Sequence, residues 1–232
     1  MLKIGVIRGI AKKSEILSGK LNIYTGISLN NKWCNKENIN AYILWGSEHT
    51  KEKFGIVIAD TLHAINYEVR SNYSSQAAIR KALHEGDKFL KIISEILEEL
   101  TEDQRNKIEI IRWEDVRKDQ YYKKVSPFFL QEFKTNSLFK KDIRDIVRGF
   151  VSKLDQPKTS EEKIERLCLY VIDEFPELMN GFTHKGIHYT CHIYPSDAEL
   201  LRLIEKIQKR EIYAEFHEKN KIGNNVFLEL HK

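Results

Sequence analysis

The chain has 232 residues, 41% of them hydrophobic and 31% charged, with a net charge of +4, and no shift in composition marks a boundary, so a single domain over 1–232 is expected. No run approaches the roughly 20 apolar residues that span a bilayer, the opening MLKIGVIRGIAKK has too short an apolar run for a signal peptide, and three cysteines (Cys34, Cys168, Cys191) are too scattered for a disulfide framework. Membrane-spanning and disulfide-stapled secreted classes are set aside, a cytoplasmic protein is expected, and the slight positive charge admits a polyanionic partner without requiring one.

Apolar, β-branched runs at 2–7, 21–27, 54–59 and 108–113 predict strands. Between them, helical periodicity covers 38–49 and 74–100, and much of 114–151 follows as helix. The remainder alternates: a helix near 160–175, a strand near 187–194, a helix near 197–209, and strands near 211–216 and 226–230. Near-continuous apolar strands separated by helices predict an α/β fold, a Rossmann-like parallel sheet covered by helices on both faces. Such folds place their sites beyond the carboxyl ends of the strands. No G-x-G-x-x-G follows the first strand and no G-x-x-x-x-G-K-[ST] occurs, so no nucleotide cofactor is expected.

Four groups of residues could carry chemistry. The strand LNIYTGI runs directly into Ser28, with Gly26 allowing close backbone approach and Asn30-Asn31 offering amides to a developing oxyanion. The same serine could equally serve as a turn or cap residue. It is not a G-x-S-x-G elbow, because Asn30 stands at the last glycine. In the helix TSEEKIERLCLYVIDEFP, Thr159 and Glu162 predict a capping box and Pro176 an end or kink. Tyr170 and Glu174, four apart, share one face at the rim of the apolar stripe. Glu174 then falls in the last turn, where the helix dipole disfavours an anion. The alternative is a solvated glutamate beside a half-buried tyrosine.

On the long helix, Arg80, Lys81, His84, Lys88 and Lys91 fall within about 100° of arc, opposite Ile79, Ala82, Leu83, Phe89, Leu90, Ile93 and Leu97. The stripe suits phosphate contacts that position an RNA; the plain alternative is a solvated face. Near the end, His184, His188, Cys191 and His192 could suggest zinc. The context GIHYTCHIYP reads instead as a strand, with Cys191 on the opposite face from His188 and His192, so no metal is expected. Tyr194-Pro195 closes that strand.

GISLNN (26–31), YVIDE (170–174) and HIYP (192–195), in this order and at this separation, resemble the cyclodipeptide synthases over roughly residues 20–200. The resemblance implies a class I aminoacyl-tRNA synthetase-like catalytic fold without ATP chemistry. Its substrates would be two aminoacyl-tRNAs, its product a cyclic dipeptide, and it would need no cofactor. It implies Ser28 as nucleophile, Tyr170 and Glu174 holding the α-ammonium group, and Tyr194 as a proton relay. Gly26, Asn31 and Pro195 would lie on the substrate, and Arg80, Lys81, Lys88 and Lys91 on the tRNA of a monomeric enzyme. Asn31 with Pro195 mixes the marks of the two family subgroups, and Tyr194-Pro195 assigns the Tyr-Pro group. Glu177 stands where the family often has an apolar pocket residue. Two other classes stay open: a serine hydrolase, whose histidine base no motif supplies, and a tRNA-binding module without catalysis.

Overall fold

The protein is described by a computed structural model covering residues 2–29, 31–152, 159–194, 198–220, 222–223 and 225–231. Strand β1 (Lys3–Arg8) and helix α1 (Lys13–Leu17) lead into β2 (Ile23–Ile27), α2 (Lys36–His49) and β3 (Phe54–Ile58). A 3-10 turn (Thr61–His63) joins β3 to α3 (Ala64–Ser71), α4 (Ser75–Glu98), α5 (Glu102–Asn106) and β4 (Ile108–Arg112). Helices α6 (Trp113–Val116), α7 (Gln120–Thr135), α8 (Ser137–Ser152) and α9 (Glu161–Asn180) follow. The chain ends through β5 (Phe182–His184), β6 (Ile187–Tyr189), β7 (Cys191–Ile193), α10 (Glu199–Gln208), α11 (Glu215–Lys219) and β8 (Val226–His231).

The main sheet runs β1-β8-β7-β2-β3-β4. Strands β8, β7, β2, β3 and β4 are mutually parallel, as the α/β pattern predicts. The chain leaves β2 toward β3 and β4 and returns as β7 on the other side. The strand order therefore reverses between β2 and β7, and the crevice at their carboxyl ends is where such a sheet presents a site. β1 corrects the all-parallel expectation: it pairs antiparallel with β8, Lys3 opposite His231. Its alternating exposure marks it as an edge strand, not a doubly covered central one.

One apolar cluster packs β2, β3 and their neighbours against α2 and α4. A second lies among α7, α8, α9 and α10, and a third, built on Tyr24, Leu62, Trp113, Tyr122, Phe182 and Tyr189, sits beneath the rim of the sheet. Tyr170 touches both of the latter two, so α9 is core on one side and site on the other.

Four local expectations need correction. The predicted strand 187–194 is two strands, because β6 pairs with β5 in a separate hairpin while β7 enters the main sheet. Tyr189 thereby stacks on Phe182 at 5.2 Å, in the third cluster. The predicted strand at 211–216 is absent: Arg210 and Tyr213 take positive φ, and α11 brings Phe216 into an aromatic group with Phe128, Phe129 and Phe139. Helix α9 is capped by Ser160, not Thr159, through the Lys163 amide, and it runs through Pro176 to Asn180. Helix α4 keeps most of the predicted face, with Ala82 and Ile93 buried and Phe89, Leu90 and Leu97 packed on the first cluster, but Ile79 and Leu83 are exposed, and Ala78, Gly86 and Ile96 are buried. Small residues spaced four apart let this helix approach closely. A Cβ at Gly86 would lie 2.9 Å from the Asp60 Cβ.

Candidate active site

Ser28 is the first residue beyond the carboxyl end of β2 and is half-buried. Its carbonyl accepts from the Asn31 amide at 3.2 Å, which turns the chain. Asn31 is exposed, and its side-chain oxygen accepts from the Trp33 amide at 3.0 Å. Asn31 thus builds the turn. The Asn30 amides expected to face an oxyanion, and Pro195, lie outside the described residues.

The Ser28 Oγ lies 3.0 Å from Nε2 of His63, a residue that sequence reasoning passed over. His63 ends the 3-10 turn that follows β3, the strand beside β2. Asp60, fully buried, anchors this turn by accepting from the Thr61 amide at 2.7 Å and by pairing with Arg112. The other ring nitrogen, Nδ1, is 3.2 Å from the Asn66 side-chain amide nitrogen. Burial, with the Arg70 charge nearby, pushes the His63 pKa down to about 4. The signal was present as ADTLH: a capped turn at the end of the neighbouring parallel strand must open on the same crevice as Ser28.

Helix α9 brings Tyr170 and Glu174 to this rim, on one face as their spacing predicts. The Tyr170 ring stands edge-on to His63 at 5.6 Å, and its hydroxyl is hydrogen-bonded with Ser28. Because α9 continues to Asn180, Glu174 is mid-helix, and the dipole argument does not apply to it. Its pKa is instead raised to about 8 by burial first, then by the charges of Glu177 and Asp173. Asp173 fixes the helix. It accepts from Tyr122 at 2.5 Å and from Trp113 at 3.4 Å, and pairs with Arg117 at 2.5 Å. The Glu174 carboxyl, raised to about 8, keeps its proton at neutral pH unless a cation lies beside it.

Tyr194 follows β7 as Ser28 follows β2, so the two flank the reversal of strand order. Burial and the charges of Glu174 and Glu177 hold its hydroxyl far above the usual phenol range. Beneath it lies a buried polar group. Tyr24 donates to Glu177 and stacks on His192 at 4.4 Å, and Asn225 donates to the Tyr24 oxygen at 2.7 Å. Glu177, 2% exposed, is therefore already engaged in a hydrogen-bonded floor. Gly26 serves this floor: a Cβ there would sit 3.2 Å from His192 Nε2.

The basic stripe is surface, but less free than predicted. Arg80, Lys88 and Lys91 are exposed and Lys81 half-exposed. Lys81 and Lys88 both pair with Glu85, at 2.7 and 2.8 Å. Gly86, one turn of the same helix away, packs on Asp60, so the stripe is joined rigidly to the turn that carries His63. His184 and His188 do not converge with His192: the first faces Glu109 at 3.4 Å and the second Thr183 at 3.1 Å. Among the described residues no helix is long and apolar enough to cross a membrane.

A strand-order reversal flanked by a serine and a tyrosine, with a tyrosine–glutamate helix across the crevice, defines an α/β protein with its candidate site at the switch point of the sheet. A structure from Mycobacterium tuberculosis, which demonstrates that cyclodipeptide synthetases are related to type I tRNA synthetases, matches with TM-score 0.70 at 15% identity, covering 97% of this chain and 90% of that one. A cyclodipeptide synthase from Bacillus thermoamylovorans gives TM-score 0.73 at 18% identity, covering 98% and 96%. One from Candidatus Glomeribacter gigasporarum, bound to Phe-tRNAPhe, gives 0.61 at 16%, covering 95% and 91%. No curated protein sequence matches the chain. The family model described as cyclodipeptide synthase matches residues 10–217, and the chain belongs to that family.

Proposed function

We propose that this protein is a cyclodipeptide synthase that joins two aminoacyl groups from tRNA through covalent intermediates on Ser28. The observation that carries this reading is the convergence of Ser28, Tyr170 and Glu174 at the carboxyl end of β2, with Tyr194 one strand away. Ser28 Oγ attacks the carbonyl carbon of the first aminoacyl ester. The C–O bond to the tRNA ribose breaks, the ribose oxygen leaves with a proton, and an aminoacyl-serine remains. The ester is already activated, so ATP has no step to drive. Glu174 and Tyr170 hold the α-ammonium group, and Glu174 can accept its proton. The freed amine attacks the carbonyl carbon of the second aminoacyl ester, the C–O bond to that tRNA's ribose breaks, the ribose oxygen leaves with the amine's proton, and a dipeptidyl-serine remains. The new terminal amine then attacks the serine ester, the C–Oγ bond breaks, and a proton returns to Oγ as the six-membered ring closes. Tyr194 relays that proton. Closure is intramolecular and outruns hydrolysis when water is kept out. We assign the chain to the Tyr-Pro subgroup on Tyr194-Pro195.

The test is mass spectrometry of medium from cells expressing the chain, where new cyclic dipeptides are expected and their absence, with soluble protein present, counts against the reading. The Ser28–His63 pair gives a second reading some support, hydrolysis of a small ester. A hydrolase would release free amino acid from a simple aminoacyl ester and make no dipeptide.

The tRNA is proposed to lie along α4. Among the described residues no carboxylate pairs with Arg80 or Lys91, whereas Lys81 and Lys88 share Glu85. Replacing Arg80 and Lys91 by glutamine should therefore remove most of the stripe's free charge. The dependence of dipeptide formation on salt should flatten by about 0.9 in log–log slope for each lost duplex phosphate contact. Acylation of Ser28 by a minimal aminoacyl ester should be unchanged. Equal slopes for parent and double variant would leave the stripe as a solvated helix face.

A further inference from the structure

We propose that His63 holds its proton on Nε2 and donates it as a hydrogen bond to the Ser28 oxygen throughout the cycle, stabilising that oxygen as a leaving group without itself taking a proton. This rests on Ser28 being the acylated residue.

Four observations support it. The distance from Nε2 to Oγ is 3.0 Å. The group at Nδ1 is the Asn66 amide nitrogen, a donor, at 3.2 Å. A neutral imidazole whose Nδ1 accepts carries its hydrogen on Nε2. Third, among the described residues no carboxylate faces the ring to counter an imidazolium. The groups that face the ring are Ser28 beyond β2, Asn66, Tyr67 and Arg70 on α3, and Tyr170 on α9. None is a carboxylate, and the only formal charge among them is positive. A histidine built as a general base has an acceptor behind it to stabilise the cation that proton uptake creates. His63 has a donor there instead. Fourth, His63 is 6% exposed on a turn anchored by buried Asp60, so its position is set before substrate arrives.

The chemistry follows from that geometry. In the free enzyme the Oγ accepts from His63, and its own hydrogen is left for Tyr170 and the incoming ester. After acylation the same oxygen is the bridging ester atom, and the Nε2–H still points to it. At ring closure the amine nitrogen forms its bond to the ester carbon, the C–Oγ pair of electrons moves to Oγ, and negative charge develops 3.0 Å from that donor. A fixed donor aimed at developing oxyanion charge in a water-poor site contributes on the order of 10²–10³ in rate. The proton that finally neutralises Oγ comes from the attacking amine, so His63 ends as it began.

Three variants and one spectrum test this. His63→Gln keeps an amide N–H able to reach Ser28 and has no titratable ring. His63→Leu keeps bulk and has neither. Asn66→Asp puts an acceptor behind Nδ1, moving the proton there and leaving Nε2 without its hydrogen. Intact-protein mass spectrometry after mixing with charged tRNA measures acyl-Ser28, and product assays measure ring closure. Dipeptide formation should fall no more than about tenfold in His63→Gln and about 100-fold or more in His63→Leu and Asn66→Asp. The pH profile of His63→Gln should match the parent's. The ring's two-bond proton–nitrogen correlation should place the hydrogen on Nε2. His63→Gln as inactive as His63→Leu, with the parent's acid limb gone, would make His63 a general base and overturn the proposal. Full activity in all three would reduce it to packing, and a spectrum with the hydrogen on Nδ1 overturns it even if His63→Leu fails to fold. Cyclic product formed with no adduct at Ser28 in the parent would overturn the covalent reading itself, a separate result from any of these.

Discussion

Replacing Ser28 by alanine is expected to abolish cyclic dipeptide formation, by at least about 10³-fold, while leaving the melting temperature nearly unchanged. The loss is large because a covalent nucleophile has no partial substitute: without Oγ neither the aminoacyl nor the dipeptidyl intermediate can form. The fold is spared because Ser28 is half-buried at the end of β2, and the turn after it is held by its backbone carbonyl and the Asn31 amide. Incubation of the parent with charged tRNA should add the mass of one aminoacyl group to the peptide containing Ser28, and the variant should add none. A Ser28→Ala protein with parental activity would falsify covalent catalysis here. It would leave a templating mechanism in which α9 aligns two aminoacyl-tRNAs for direct attack.

The second large effect concerns Glu174 and has two signs. Glu174→Gln should reduce dipeptide formation by about 10²-fold or more, the usual scale for a lost acid–base group. It should also stabilise the protein in alkaline solution. The folded state raises the Glu174 pKa from 4.5 to about 8, so the native carboxyl keeps its proton where the unfolded chain has lost it. Its contribution to stability is therefore fully present below about pH 4.5 and is lost progressively as the pH rises through about 8. Glutamine stays neutral throughout and escapes that loss. At 1.36 kcal/mol per unit, reduced for partial solvent contact, the gap at about pH 8.5 amounts to roughly 2–4 kcal/mol. For a chain of this size that is roughly 5–10 °C in melting temperature. Melting curves of parent and variant at about pH 5 and about pH 8.5 should nearly coincide at the first and separate at the second. A variant that melts lower at both would show Glu174 to be structural. The pairing of lost activity with gained stability is what a carboxyl reserved for a cationic substrate predicts.

The parts of the site that could be read in the sequence are those written by local spacing. Tyr170 and Glu174 are four apart on a strongly patterned helix, and Ser28 and Tyr194 each end an apolar strand, so their places followed from helix and strand periods. What stayed hidden depends on which strands are neighbours. His63 comes near Ser28 only because β3 lies beside β2, and Glu177 meets Tyr24 and Asn225 only because β2, α9 and the segment before β8 come together. Hydropathy misled where size mattered more. On α4 the wheel favoured Ile79 and Leu83 for the core beside Ala82, yet they are exposed and the close contact is made by Ala78 and Gly86 with Ala82, whose merit is how little they carry. The same limit explains the break at Thr190: nothing local says that Tyr189 belongs to a hairpin and Cys191 to the main sheet.

The placement of β7 between β2 and β8 also sets when the protein can begin to work. During synthesis β2 can acquire β3 as a neighbour early, with residues 23–27 and 54–58 close in the chain. Its other edge must wait for residues 191–193, and β7 in turn waits for 226–231. Before residues 170–194 are made, the nascent chain carries Ser28 and His63 at the end of an incomplete sheet, without Tyr170, Glu174 or Tyr194. A ribosome is surrounded by charged tRNA, the substrate proposed above for that serine. Late closure of the sheet leaves one side of a central strand unpaired through most of translation, when it is open to mispairing with another chain.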